Sequence, residues 1–391
     1  MSRTLRVVVA PDSFGGALDS VGVATAIATG WSRVRPDDEI LLRPMADGGE
    51  GTLAAVAAAL GDGAELRTTE TADALGRPIG ADWLLLDGGR GAFIEMAAAS
   101  GLARLSPEER TPESARLAST RGTGDLVRAA LDAGVERITI GLGGSATTDG
   151  GSGLLRALGA RLLDSDGNKL PEGGAALARL DRIDTEDLEP RLREVKIVIA
   201  SDVTNPLCGP RGAAATYGPQ KGADPVAVAE LDAALAQWGG AIEAATGRLV
   251  ADLPGAGAAG GTTAGLLGFT PALVRPGVEV VAELVGLAEA LESADLVITG
   301  EGRADEQTLH GKTAIGVATL AGPRRTPVVL LCGGLGQGAE ALDATTSLTV
   351  VQPIVDRPIE LAEAMAETER LLIAAAGRLA RTIGIGLSFT G

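Results

Sequence analysis

The sequence predicts an α/β protein of two domains. Three observations predict it. Short apolar runs alternate with stretches of helical periodicity at both ends of the chain, those runs end in glycine and a carboxylate, and the middle of the chain changes style.

The N-terminal segment reads as a strand at 5–10, a loop PDSFGGALDS at 11–20, an amphipathic helix at about 20–34 and a strand at 39–43. A glycine-rich loop, PMADGGEGT, then leads into a helix at about 51–60. The C-terminal third repeats the style. DLVITG (295–300) is a strand running into a polar loop, GKTAIGVATLA a helix, PVVLLCG (327–333) a buried strand and SLTVVQ (347–352) another. A last long helix at about 358–382 carries Leu361, Met365, Leu371, Leu372 and Leu379. The middle differs: WLLLDGGRGAFIEMA places two β-rich runs around a DGGRG turn, a hairpin signal. A helix near 123–134, the strands in ERITIGLGG and VKIVIAS (195–201), a helix at 225–245 and the stretch GAGAAGGTTAG follow. This order predicts a discontinuous Rossmann-like domain built from 1–75 and 290–391, with a second α/β domain inserted at 76–289. An active site is then expected in the cleft between them, where strand C-termini face outward.

Composition narrows the function. With 391 residues, 45% of them hydrophobic, the chain has ample material for buried cores, but only 4 Phe, 3 Trp and 1 Tyr, so Ala, Val, Leu and Ile must fill them. A formal charge of −17 argues against nucleic acid and anionic membranes as partners. The longest apolar stretches fall short of the ~20 residues a membrane span needs, and no basic segment followed by an apolar one opens the chain. Cys208 and Cys332 give no disulfide framework, so a reducing cytoplasm is expected. The sole histidine, His310, excludes multi-histidine metal sites. Only four of the 34 basic residues are lysines, which singles out Lys221 in PQKGA and Lys312 in HGKT, both flanked by glycine.

Four stretches share one grammar, an apolar run followed by glycine and a carboxylate. PMADGGEGT holds Asp47 and Glu50, and ITIGLGGSATTDGGSG holds Gly143, Gly144, Ser145 and Asp149. VIASDVTNPLCGPRGAAATYGPQKGA holds Asp202, Asn205, Arg211 and Lys221, and DLVITGEGRADEQTLHGKT holds Glu301, Arg303, Asp305 and Lys312. Any one alone is a solvated turn, since Asp and Gly are the ordinary turn residues. Four of them at strand ends suit a divalent cation and a polyphosphate: Mg²⁺ takes a few carboxylates, and glycine-loop amides cradle phosphate oxygens. GLGGSA (141–146) formally fits a dinucleotide fingerprint, but no acid closes the next strand about 20 residues on. HGKT fails as the end of a P-loop because Glu306 stands where the first glycine belongs. Ser145 lacks the last glycine of a hydrolase elbow, as Thr147 stands there.

Taken together, PDSF, PMADGGEGT, GLGGSATTDGG, SDVTNPLCGPRGAAATYGPQKGA and DLVITGEGRADEQTLHGKTAIGVA resemble the type I glycerate kinase family over nearly the whole chain. The resemblance implies an ATP- and Mg²⁺-dependent kinase that phosphorylates D-glycerate, most often at the 2-hydroxyl in bacterial members, acting as a monomer or homodimer. On that footing Asp47, Asp149, Asp202, Asp305 and Lys312 are candidate catalytic residues, with Asp202 and Asp305 also the candidate metal ligands. Gly143, Gly144, Ser145, Lys221, Glu301 and Arg303 are candidates for the nucleotide, and Asp12, Ser13, Asn205 and Arg211 for the substrate.

The chain also departs from the family pattern. Members typically carry lysine in the first loop, as PDSFKGSL, where this chain has Gly15; Thr148 stands for a common Asn and Ala314 for a common Pro. The loss at position 15 leaves an anion loop without its cation, so a member with lost or altered kinase activity, or with another hydroxy-acid substrate, is the main alternative. An NAD-dependent dehydrogenase using GLGGSA is a further one.

Overall fold

The computed structural model describes residues 3–306, 308, 313–342 and 350–389. In chain order the elements are β1 (Arg6–Val9), α1 (Ser20–Ser32), β2 (Glu39–Leu42), α2 (Thr52–Leu60), β3 (Ala64–Ala72), β4 (Pro78–Leu86) and β5 (Gly91–Glu95). There follow α3 (Ala97–Ser100), α4 (Pro112–Leu117), α5 (Arg121–Asp132), β6 (Arg137–Gly141), α6 (Ser152–Ala157), β7 (Arg161–Leu163), β8 (Arg182–Asp184) and β9 (Lys196–Ala200). Next come α7 (Ala213–Tyr217), α8 (Pro225–Thr246), α9 (Ala258–Phe269), β10 (Leu273–Arg275), α10 (Gly277–Leu284) and α11 (Leu287–Leu291). The last are β11 (Leu296–Glu301), α12 (Thr313–Ala321), β12 (Val328–Cys332), β13 (Val350–Pro353), α13 (Leu361–Ala366) and α14 (Thr368–Ser388).

These divide into two compact units. One comprises 1–47, 54–61 and 278–391, the other 48–53 and 62–277. The first holds a five-stranded sheet, all parallel, in the order β13-β12-β11-β1-β2. Continuous apolar runs such as VVLLC, buried at every position, are what a parallel sheet covered on both faces requires. The direction of strand succession reverses between β1 and β11, the topological switch point beside which doubly wound sheets bind ligands. The helix α14 packs on α1 so closely that a Cβ on Gly30 would lie 2.2 Å from the carbonyl oxygen of Ile373. Its length and apolarity would suffice to cross a membrane, yet Leu371, Leu372, Ala375 and Ala376 are fully buried in this unit's core. The expected single helix from about 358 is broken at Glu367 into α13 and α14. The expected strand at 347–352 is seen from Val350 on, and its first three residues lie outside the described ones.

The second unit is built on a six-stranded sheet, β10-β9-β6-β5-β4-β3. Strands β5, β6, β9 and β10 run parallel, while β3 and β4 continue the sheet antiparallel. The DGGRG turn does join antiparallel β4 and β5, with left-handed Asp87, Gly88 and Gly89 carrying the bend. Strand β3 was not among the expected elements, because AELRTTETA offers almost no apolar run: as an edge strand it exposes most of its side chains. Its pairing with β4 draws 62–75 into this unit, although they are expected with 1–61 in the first domain. At the other boundary the chain enters the first unit at Val278, ahead of the expected 290, because Val278 packs against Gly316 of α12.

Candidate active site

In the first unit the polar loops gather at the carboxyl ends of β1, β2, β11 and β12. The backbone of Asp12 donates to the Gly300 carbonyl at 2.8 Å, which lays PDSFGG along the end of β11 at the switch point. Asp12 Oδ2 accepts from Thr313 Oγ1 at 2.5 Å, and Oδ1 accepts from the Ser13 amide at 2.6 Å. Burial pushes the Asp12 carboxyl up, the hydrogen bonds from Thr313 and Ser13 pull it down, and the nearby charge of Asp47 pushes it up again. Ser13 and Asp47 are exposed at the loop surface. Glu301, 7% exposed, closes β11 beside Cys332, whose thiol is pushed up to about 12 by burial and by that carboxylate. The loop beyond, with Arg303 and Asp305, pairs with the loop after β12: Ala304 N donates to Gly334 O and Gly336 N to Ala304 O. Arg303 forms an ion pair with Asp305 at 3.4 Å, so this carboxylate already has a cation beside it. Lys312, and His310 with it, lie outside the described residues.

In the second unit the glycine-rich loop after β6 is wedged against the backbone of 48–49. A Cβ on Gly141 would lie 2.4 Å from Gly48 O, and one on Gly143 2.3 Å from Gly49 Cα, so both glycines are required for the approach. Gly143 N donates to Gly48 O at 3.3 Å, and Gly144, at φ +72°, forms the exposed tip. Beyond the tip the chain does not enter a helix, as a dinucleotide fingerprint requires. Residues 145–149 are buried, and α6 begins only at Ser152. The NAD reading therefore loses the geometry it needs.

Asp149, fully buried, accepts from Thr120 N, Thr120 Oγ1, Gly151 N and Gly153 N at 2.9–3.2 Å. It thereby staples the N-termini of α5 and α6, and burial pushes its carboxyl up against those bonds. No face of this carboxylate is open to a substrate. Lys221 is 2% exposed; its Nζ donates to Thr147 O at 2.6 Å and to Ser145 Oγ at 3.1 Å. Burial pushes its ammonium down to about 7 against the pull of Asp149.

The loop after β9 carries the rest. Asp202 is exposed and accepts from Gly277 N at 3.0 Å, tying this loop to the end of β10. Asn205 is spent on loop architecture, donating to Arg211 O and Thr216 Oγ1 and accepting from Tyr217 OH at 2.9 Å. Arg211 is exposed. One residue was missed. Glu95, at the end of β5 and 6% exposed, accepts from Gly51 N and Leu53 N, capping the start of α2. A lone carboxylate directly after the apolar run AFI was the available signal.

The structure thus brings Asp12, Ser13, Asp47, Glu301, Arg303 and Asp305 to strand ends of one unit. It brings 143–145, Asp149, Asp202, Asn205, Arg211 and Lys221 to strand ends of the other. Among the described residues no three His, Cys, Asp or Glu side chains form a metal-holding cluster. Carboxylates, arginines and a backbone-lined glycine loop at the ends of parallel strands define the class, an α/β enzyme for small anionic substrates.

Comparison with known proteins gives the family. The model of the glycerate kinase family matches residues 7–384. A glycerate kinase of Halalkalibacterium halodurans is 45% identical, over 96% of this chain and 97% of its own. A glycerate 2-kinase of Escherichia coli is 45% identical, over 85% of this chain and 86% of its own. A crystal structure from Salmonella typhimurium LT2, described as a candidate glycerate kinase 2, superposes with a TM-score of 0.86 at 42% identity, covering 99% of this chain and all of that one. The chain belongs to the glycerate kinase family.

Proposed function

We propose that this enzyme transfers the terminal phosphoryl group of ATP to the 2-hydroxyl of D-glycerate in the cytoplasm, with Mg²⁺ as its cation. The observation that carries the proposal is the approach of Asp12 and Asp47 at the end of β1 and β2, beside the switch point. Two neighbouring carboxylates, the charge of Asp47 pushing the Asp12 carboxyl up, with the Thr313 and Ser13 hydroxyls beside Asp12, form an oxygen-only donor set for a hard cation. Mg²⁺ typically takes one or two carboxylates and completes its shell with water and substrate phosphates, so the set fits it without a third acid. When bound, Mg²⁺ neutralises charge on the transferring phosphoryl oxygens. Asp12 and Asp47 would hold it; Asp305, already paired with Arg303, suits the task less well.

Phosphoryl transfer needs positioning, a proton acceptor and positive charge more than covalent chemistry. Arg211, exposed on a loop that Asn205 and Tyr217 hold in shape, offers a planar fork for the glycerate carboxylate. Asp202, exposed and anchored on Gly277 N, is assigned the hydroxyl proton, and its exposure supports that role. The tip at Gly144 presents backbone to phosphate oxygens, while Arg303, Glu301 and Lys312 are the further nucleotide candidates. The name of the E. coli relative supports the 2-hydroxyl as acceptor. The test is ADP release from ATP, Mg²⁺ and D-glycerate. Steady release that Asp202→Asn lowers ~100-fold or more is expected, and turnover that depends on a nicotinamide instead would overturn the reading.

A further inference from the structure

We infer that Lys221 is a positioning residue, acting on bound phosphate through the glycine-rich loop rather than by touching it. This rests on the kinase reading above and gives one of its few lysines a different task from the one its sequence context suggests. The side chain is 2% exposed, and its Nζ meets the loop from inside, at Thr147 O and Ser145 Oγ. Both acceptors lie immediately past the exposed Gly144 tip, so the ammonium fixes where the tip sits.

Backbone bonds hold the tip itself, Leu102 N donating to Gly144 O at 2.7 Å and Ala146 N to Ser100 O at 2.9 Å, whereas the Thr147 carbonyl is met by the Lys221 ammonium. The hydroxyls of Thr147 and Thr148 are buried and have no hydrogen-bond partner among the described residues. The segment also packs on α9, where Ala259, Gly260 and Gly261 are all left-handed (φ 51°, 65° and 89°) and Gly260 O accepts from Gly150 N at 2.9 Å. A Cβ on Gly260 would lie 2.0 Å from Thr147 O, so α9 and Lys221 converge on one carbonyl. Gly260 and Gly261 take up this conformation freely, but Ala259 at φ 51° is strained, a cost that a passive core does not require.

A buried ammonium is also a poor way to gain stability, since a methionine of similar length would pack there without desolvation cost. Retaining charge makes sense where its position and field are used. Here the two bonds occupy two of its three protons, and Asp149 lies close enough to favour the charged form.

The test compares Lys221→Met, Ser145→Ala and the double variant by steady-state kinetics and by amide hydrogen exchange over 142–151. A positioning role predicts that Lys221→Met lowers kcat ~10–100-fold, the range for losing a charge-assisted bond in the transition state. KM for glycerate stays within about twofold, exchange over 142–149 accelerates while that of α8 does not, and adding Ser145→Ala costs little more, because residues acting as one unit are not additive. Multiplicative losses in the double variant with unchanged exchange would mean that Lys221 reaches the ligand on its own, and would overturn the inference. Should Lys221→Met not fold, Ser145→Ala decides alone: faster loop exchange with lowered kcat supports the inference, unchanged exchange refutes it. The exchange readout needs no turnover, so a wild-type enzyme inactive on glycerate would sink the kinase reading, while unchanged loop exchange in Lys221→Met would sink the positioning role by itself.

Discussion

In the structure Gly15 is exposed, its φ is not left-handed, and a Cβ there meets nothing within 4 Å. A lysine can therefore be installed without strain beside Asp12 and Ser13. Gly15→Lys is expected to raise kcat/KM for glycerate, by up to ~10–100-fold if the ammonium bonds a charged group in the transition state. An unchanged or lower value in the coupled assay would mean the loop is built around glycine. Lys221 makes a second prediction at this scale, now on stability. Its folded pKa of about 7 lies below the ordinary 10.5, so between these values the unfolded chain holds the extra proton and stability rises with pH. From pH 7 to 9 the gain is about 2 kcal/mol by linkage arithmetic. Above that, Cys208 and Cys332, both pushed up to about 12, act in the opposite sense. Urea unfolding at the two pH values should show the gain in the wild type and not in Lys221→Met. The individual roles were the least legible part of the sequence. GGSATTDGG shows that Asp149 and Ser145 lie among glycines, but nothing in it tells a carboxylate facing solvent from one fastened to two helix N-termini. Similarly, PQKGA reads as an exposed phosphate loop, although the turn at 219–221 sends the lysine inward.

At the scale of elements, the buried parallel strands were legible because both faces are covered, which leaves runs such as VVVA and VVLLC. Edge and short strands were not. β3 alternates exposed polar residues, and β7, β8 and β10 have three residues each, too few to show a period. Helix α14 illustrates the converse ambiguity, since its composition alone would pass for a membrane span. Its docking on α1 settles its place in the fold through Gly30, where no side chain fits against Ile373 O. Gly30→Ala should lower stability by about 1–3 kcal/mol, the usual cost of overpacking, and thermal denaturation would register it. A change within a few tenths of a kcal/mol would show that α14 does not rest on α1 as described.

For the molecule as a whole, the chain divides into two units whose limits do not follow its order. The first unit is assembled from both ends of the chain, which leaves it at 47, returns for 54–61 and rejoins at 278. Those crossings are set by pairing and packing partners distant in sequence, β4 for β3 and Gly316 for Val278, which local periodicity does not encode. Each unit carries its own set of strand-end groups, and the proposed reaction is one phosphoryl transfer from ATP to D-glycerate. The most direct measurement is ³¹P NMR of a mixture of enzyme, ATP, Mg²⁺ and D-glycerate. ADP and 2-phosphoglycerate are expected to grow in equal amounts as ATP declines. A 3-phosphoglycerate resonance would contradict the assigned acceptor, and ATP persisting unchanged would contradict the transfer itself.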